Sequence, residues 1–215
     1  MNPETLKDQT AKEKAFRLDK QRREMIDRIA AAVRKGKKIA FLQGGDPMIY
    51  GITYPLEMLP KSVPIEIVPG VGAFQAASAA VKMSPPYGWD TSSVILTMND
   101  WTGHADTNEK LMATQTSMVF YTMHLNYPEL FAQLNRHYPD NTPVAVVNHA
   151  GDRTRQKVIM STVGRFLDEV NYRELPLEAH LLMVGKFLKT GQARKEGLVG
   201  GKSYIEQRYG SGGHE

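Results

Sequence analysis

Cysteine is absent from the 215 residues. Its absence excludes disulfides, thiolate metal sites and cysteine nucleophiles, and is compatible with the reducing cytoplasm expected for the chain. No run of about 18 apolar residues occurs, so no membrane-spanning helix is expected. The stretch Met1 to Arg23 is charged throughout and lacks the apolar core of a secretory signal. Neither charge sign dominates: 27 Lys and Arg face 23 Asp and Glu, a net charge of +4. That bias is either ordinary surface variation or a mild preference for an acidic ligand. The basic residues are dispersed except at 34–38, which argues against a nucleic-acid groove. The six histidines, at 104, 124, 137, 149, 180 and 214, lack a spacing such as H-E-x-x-H, so no metal site is expected. Also missing are the G-x-G-x-x-G dinucleotide fingerprint and the Walker G-K-[ST]. What remains, 41% apolar and 23% charged residues, is an ordinary globular composition with room for one or two cored domains.

The periodicity predicts a helix over 4–35, with Met25, Ile26, Ile29, Ala30 and Val33 on one face and Gly36 as its stop. Lys38 to Leu42 reads as a buried strand, 52–59 as a helix ended by Pro60, Ile65 to Val68 as a second strand, and Phe74 to Met83 as a helix. Ser84 to Gly88 breaks all regular structure, and a domain boundary is expected there. Strands then alternate with helices: 94–97, 118–122, 144–147, 158–161 and 181–184 against 107–114, 128–136 and 162–170. The alternation implies α/β layers with at least partly parallel sheets. The expected division is an N-terminal α/β domain over 1–86, a C-terminal α/β domain over 87–190 and a tail over 191–215, with Gly210 to Gly213 flexible.

Three loops after strands carry the chemistry, as such loops do in open α/β sheets. Gly44-Gly45-Asp46-Pro47 follows the first strand. It is either a plain tight turn or a corner where a ligand approaches bare backbone. Pro69-Gly70-Val71-Gly72-Ala73 leads into a small-residue helix whose exposed first amides suit an anionic or polar group, or whose small residues serve close packing on a sheet. Asn148-His149-Ala150-Gly151-Asp152-Arg153-Thr154-Arg155-Gln156 is either a solvated turn or part of a site. Trp89 and Trp101, flanking the second half's first strand, are expected in the core rather than stacked on a ligand. His124 and His149 sit at strand ends or loops, where a ligand contact is a minority reading.

In this order, GGDPMIYG at 44–51, EIVPGVGAFQAASAA at 66–80, TSMVFYT at 116–122, NTPVAVVNHAGDRTRQKVIMSTV at 141–163 and HLLMVGKF at 180–187 resemble the tetrapyrrole methylase family. The segment HLN…EL followed by TPVAVV…QKVI is most similar to the branch acting on precorrin-4 or cobalt-precorrin-4 at C11. The resemblance implies two α/β domains with S-adenosylmethionine folded into the cleft between them, released as S-adenosylhomocysteine after C-methylation of a corrin precursor in cobalamin biosynthesis. It further implies a cytoplasmic homodimer. Carried over by motif, Gly44, Gly45, Asp46, Ile49, Gly72, Ala73, Thr122, Ala150, Gly151, Ala179 and His180 would contact the cofactor. Lys82, Arg153, Arg155 and Lys157 are candidates for the carboxylates of a corrin precursor, with arginine offering bidentate pairing. The resemblance assigns no catalytic base.

The sequence departs from the family pattern in three places. No strand and Gly-Pro-Gly-Asp-Pro loop precede the helix at 4–35, which reads as a fragment, a misassigned start or a reduced member. Gly72 stands where relatives carry Thr or Ser, and Thr122 where many carry Met. Two other readings therefore stand beside the corrin methyltransferase: a family member methylating a protein or RNA, and a non-catalytic binding or dimerisation module.

Overall fold

A computed structural model of the chain describes residues 3–86, 91–122 and 125–189. Trp89, His124, His214 and the tail from 191, with Gly210 to Gly213, lie outside the described residues. The chain divides into two compact units, Met1–Gly72 and Ala73–Glu215. The division falls earlier than the break expected at 86, because the helix after Gly72 packs with the second unit. Its Ala77 is fully buried beside Val119, Ala145 and Met183 of that unit's sheet.

In the first unit, α1 spans Pro3–Arg34 and buries Ile26 and Ala30, two members of the expected stripe. Gly36 ends it at φ +75°, a left-handed value that costs glycine little. The amides of Gly36 and Lys37 then reach back to Val33 and Ala32 at 2.8 and 3.1 Å. The short α2, Tyr54–Met58, starts with Pro55 in its first turn, where a missing amide costs nothing. Arg22 of α1 lies over the Tyr54 ring at 5.4 Å, and Phe41 meets that ring edge-on at 6.1 Å.

The strands expected at 38–42 and 65–68 do not form. Their side chains are apolar, but no strand pairs with either segment among the described residues. A β conformation is held by its ladder, not by residue type, and without a partner these segments leave Ile39, Leu42, Ile67 and Val68 exposed.

The second unit contains the sheet. Helix α3, Ala73–Val81, is followed by β1 (Val94–Thr97), α4 (Asn108–Met112), β2 (Ser117–Tyr121), α5 (Tyr127–His137), β3 (Pro143–Asn148), β4 (Lys157–Thr162), α6 (Phe166–Glu169) and β5 (His180–Val184). The strand order is β1-β2-β5-β3-β4. Only the β1–β2 pair is parallel; β5 pairs antiparallel with both β2 and β3, and β4 antiparallel with β3. The expected helix at 162–170 shrinks to the four residues of α6.

Alternation along the strands makes two cores. Met118, Phe120, Val144, Val146, Leu182 and Val184 face α5 and its Leu130, Phe131 and Leu134. Val119, Ala145, Val147, Leu181 and Met183 face α3. Because both faces are covered, the central strands read as unbroken apolar runs. Trp101, expected in the core, is 58% exposed in the loop after β1. The core beneath α5 is instead built on Phe131 and Phe166, stacked at 4.1 Å. Truncating Phe131, which is fully buried, should lower the stability of this unit by about 3–5 kcal/mol. A urea titration of Phe131→Ala checks this, and a midpoint equal to wild type would contradict the packing described.

Candidate cofactor site

Each unit carries a glycine corner. In the first, Gln43 clasps the loop behind it: its side-chain amide donates to the Ile52 carbonyl at 2.8 Å and accepts from the Ile52 amide at 2.7 Å. Asp46 caps the turn, its carboxylate accepting the Met48 amide at 2.8 Å. That bond makes Asp46 a brace for the turn. Gly45 sits at φ +74°. A Cβ on Gly70 would stand 2.2 Å from the Gly45 carbonyl oxygen, so the Pro69-Gly70 turn rests directly on the Gly44-Gly45 corner. The structure thus brings two of the three sequence motifs together. Gly44 has nothing within 4 Å of where its Cβ would be, which leaves its backbone open to a ligand. Ile49 is exposed beside this corner, whereas Gly72 is buried.

In the second unit, Thr122, Ala150, Gly151, Ala179 and His180 gather at one end of the sheet. Asn148 is opposite His180 in the β3–β5 register. The chain then turns through His149 at φ +47° and Gly151 at φ +87°. The His149 amide donates to the Ala179 carbonyl at 2.6 Å, and the Gly151 amide to the Gln156 side chain at 2.9 Å. A Cβ on Gly151 would lie 3.7 Å from Ala76 of α3, the helix that Ala73 begins. The Thr122 hydroxyl donates to the His180 carbonyl at 2.5 Å. That hydroxyl fastens the end of β2 to β5, and the methionine of relatives would lack it.

His180 points into the core. Its Nδ1 donates to the Pro176 carbonyl at 2.5 Å, so Nε2 is the acceptor for the Tyr127 hydroxyl, also at 2.5 Å. The ring is therefore spoken for, and any ligand contact at this position is left to its main chain. Arg155 is similarly engaged: its Nε donates to Asp152 at 2.7 Å. The Asp152 carboxylate also takes the Thr154 hydroxyl and amide at 2.7 and 3.0 Å, and these bonds with Arg155 hold its pKa well below the usual range. Arg153 is exposed on the same turn. Lys82 lies past the far end of α3 from Ala73, about 13 Å along the helix axis.

One residue of this end reads from the sequence only as the start of the third loop and not as a cofactor contact. Asn148 Oδ1 is buried and accepts no hydrogen bond from the described residues. An orphaned acceptor of that kind costs about 1–3 kcal/mol, so it marks a place where a donor is due. The sequence signal was only an Asn closing an apolar strand, which turn chemistry alone would explain.

A polar nucleoside cofactor requires main-chain groups it can approach closely and acceptors for its amines. The open backbone at Gly44 and the unfilled Asn148 oxygen fit that requirement, each within its own unit. In open α/β proteins, nucleoside cofactors commonly bind at glycine-rich loops beyond the ends of the sheet.

Comparison with known proteins sharpens the class. Residues 2–166 match the profile of the Tetrapyrrole (Corrin/Porphyrin) Methylases. A cobalt-precorrin-4 C(11)-methyltransferase of Methanocaldococcus jannaschii is 30% identical over 171 residues, 77% of this chain and 65% of that protein. A siroheme synthase of Hydrogenovibrio crunogenus is 29% identical over 207 residues, 92% of this chain and 41% of that one. The chain thus spans about two thirds or less of these relatives. Among solved structures, a cobalt precorrin-4 methyltransferase superposes with TM-score 0.71 at 24% identity, covering 78% of this chain and 72% of that chain. A Thermus thermophilus uroporphyrin-III C-methyl transferase complexed with S-adenyl homocysteine superposes with TM-score 0.58 at 19% identity, covering 78% and 74%. The chain belongs to the tetrapyrrole methylase family, whose members are S-adenosylmethionine-dependent methyltransferases.

The buried His180 gives this end a pH signature. Desolvation lowers its pKa, opposed in part by the Pro176 carbonyl. The neutral ring's contribution is complete above the unfolded value of about 6.5. It is lost as pH falls towards the lowered folded value, because the unfolded chain takes up the proton first. The urea midpoint should drop on acidification below that value, and drop less in His180→Gln. Parallel acid profiles for the two proteins would contradict the buried neutral ring.

Proposed function

We propose that this chain performs the S-adenosylmethionine-binding and methyl-positioning work of a C-methyltransferase acting on a corrin precursor. The observation that carries the reading is the 30% identity to a cobalt-precorrin-4 methyltransferase over 77% of the chain. The open Gly44 backbone in the first unit and the unfilled Asn148 acceptor in the second, each taken within its own unit, support the reading.

When bound, S-adenosylmethionine supplies an activated methyl group on a sulfonium centre. The chain's own residues then have to orient and shield. Correct alignment can contribute about 7–11 kcal/mol to such a step. The Gly44 and Gly45 main chain offers close contacts, with Asp46 and Gln43 keeping that corner rigid. Asn148 offers an acceptor for a cofactor amine, and Ala150 and Gly151 a wall without bulky side chains. Arg153 is the candidate for a substrate carboxylate, since Arg155 is already paired with Asp152. The match to siroheme synthase over 92% of the chain favours one second reading, in which the substrate is an earlier porphyrin-type macrocycle.

Isothermal calorimetry of the full chain with S-adenosylhomocysteine tests the cofactor reading. Saturable binding is expected, weakened about tenfold or more (about 1.4 kcal/mol) by Gly44→Val and by Asn148→Ala. No heat at millimolar cofactor would overturn it and leave a non-catalytic module. Transfer of labelled methyl to a corrin precursor but not to uroporphyrinogen III supports the first substrate; the converse supports the second.

A further inference from the structure

The second unit holds a cavity of about 300 Å3 between the loop that follows β1, the start of α4 and the start of α5. Small-molecule sites run from about 300 to 1,000 Å3, so this one takes a fragment or the head of a side chain and not a macrocycle. None of the residues expected at the cofactor lines it. β1 is an edge strand, three places from β3 in the sheet. Strands stand about 4.8 Å apart, which puts the end of β1 about 14 Å from the turn after β3.

The lining joins one flat wall to two carboxylates. Trp101 is 58% exposed, and neither its ring nor its indole N–H has a partner among the described residues. Asp100 is pinned through Oδ1, which accepts the Asn108 amide at 2.7 Å and so caps α4. Glu129 is pinned through Oε2, which accepts from the Asn126 side chain at 3.0 Å in the first turn of α5. The second oxygen of each carboxylate has no partner among the described residues. The Gln133 amide, also on the lining, is uncommitted as well. No Lys, Arg or His lines the cavity. The cations of α4 and α5 are used elsewhere: Lys110 donates to the Ala105 carbonyl at 2.8 Å, and Arg136 and His137 meet Glu109. Two held carboxylates thus share a cavity with an open indole face and have no counterion within it.

This chemistry selects its ligand by exclusion. A phosphate or a polycarboxylate is repelled by Asp100 and Glu129. A neutral sugar could stack on Trp101 but would leave both charges unmatched. A compact ammonium answers the charge but keeps its hydration and presents no flat face. A guanidinium is planar, weakly hydrated and always charged, carries its N–H donors in the ring of its own plane, and stacks on aromatic faces. We propose that this cavity is a guanidinium site: the cation lies on Trp101 and donates to the free oxygens of Asp100 and Glu129, with the Gln133 carbonyl as a further acceptor. The group is either the arginine side chain of a partner polypeptide or a free guanidino compound, and the recognition is the same for both. The site does not depend on the methyltransferase reading.

An NMR titration of the full chain tests this, following the indole N–H resonance of Trp101, assigned by its loss in Trp101→Phe. The probes are N-acetyl-arginine methylamide, agmatine, N-acetyl-lysine methylamide and methyl glucoside. Saturable shifts are expected with both guanidinium probes, a response at least about tenfold weaker with the lysine probe, and none with the glucoside. The tighter of the two guanidinium probes names the source: blocked arginine for a polypeptide, agmatine for a free compound. Asp100→Asn and Glu129→Gln keep an oxygen for the group each one caps, and should each weaken binding about tenfold. Unchanged amide resonances around Phe131 show that these variants remain folded. A Trp101 resonance unmoved by either guanidinium probe at tens of millimolar would overturn the proposal. So would a lysine probe or glucoside that binds as tightly, or affinity unchanged in both carboxylate variants.

Discussion

Main-chain pairing at β5 is the constraint on which the second unit depends. A strand covered on both faces cannot turn its peptide groups to water, so each must find a neighbour. β5 finds β2 on one edge and β3 on the other. That double pairing sets which side chains face α5 and which face α3. It also puts Ala179 and His180 beside the turn that follows β3. The His149 amide bound to Ala179, and the Thr122 hydroxyl bound to His180, are extensions of the same ladder past the ends of its strands. The candidate site at this end is thus a by-product of sheet closure, made of backbone that the ladder has already positioned.

The first unit shows the same rule from the other side. Its segments 38–42 and 65–68 have the composition of buried strands but not the partners. What is well ordered there comes from local bonds: the glycine stop of α1, the Gln43 clasp across to Ile52, the Asp46 cap and the contact of Gly70 with Gly45. These suffice to shape a glycine corner without a sheet beneath it.

Most of the second unit was legible from the sequence because its strands are short, apolar and bounded by turn residues. Pro143 to Asn148 and His180 to Val184 are clear instances. The glycine motifs were legible for a related reason: backbone that must bend sharply leaves few residue choices. Pairing was less legible. Nothing in Ile39-Ala40-Phe41 says whether a neighbour exists, and nothing in Val144 to Val147 says that β5, distant in sequence, lies beside it. Side-chain commitments were hidden for the same reason. His180, Arg155 and Thr122 looked available as residue types, and are held by Tyr127, Asp152 and the His180 carbonyl respectively. Asn148 stood in the third loop but was not singled out, because an unpaired oxygen has no sequence signature.

The central proposal is that bare backbone at Gly44 in the first unit, and the unfilled Asn148 acceptor in the second, each meet a methyl-donor nucleoside. The most direct measurement is an isotope-labelled NMR titration of the chain with S-adenosylhomocysteine, following the Gly44 and Gly151 amides and the Asn148 side-chain amide. The account predicts that all three move together along one saturation curve, while amides around Phe131 stay still. Saturation with those three unmoved, and others shifted in their place, would contradict it.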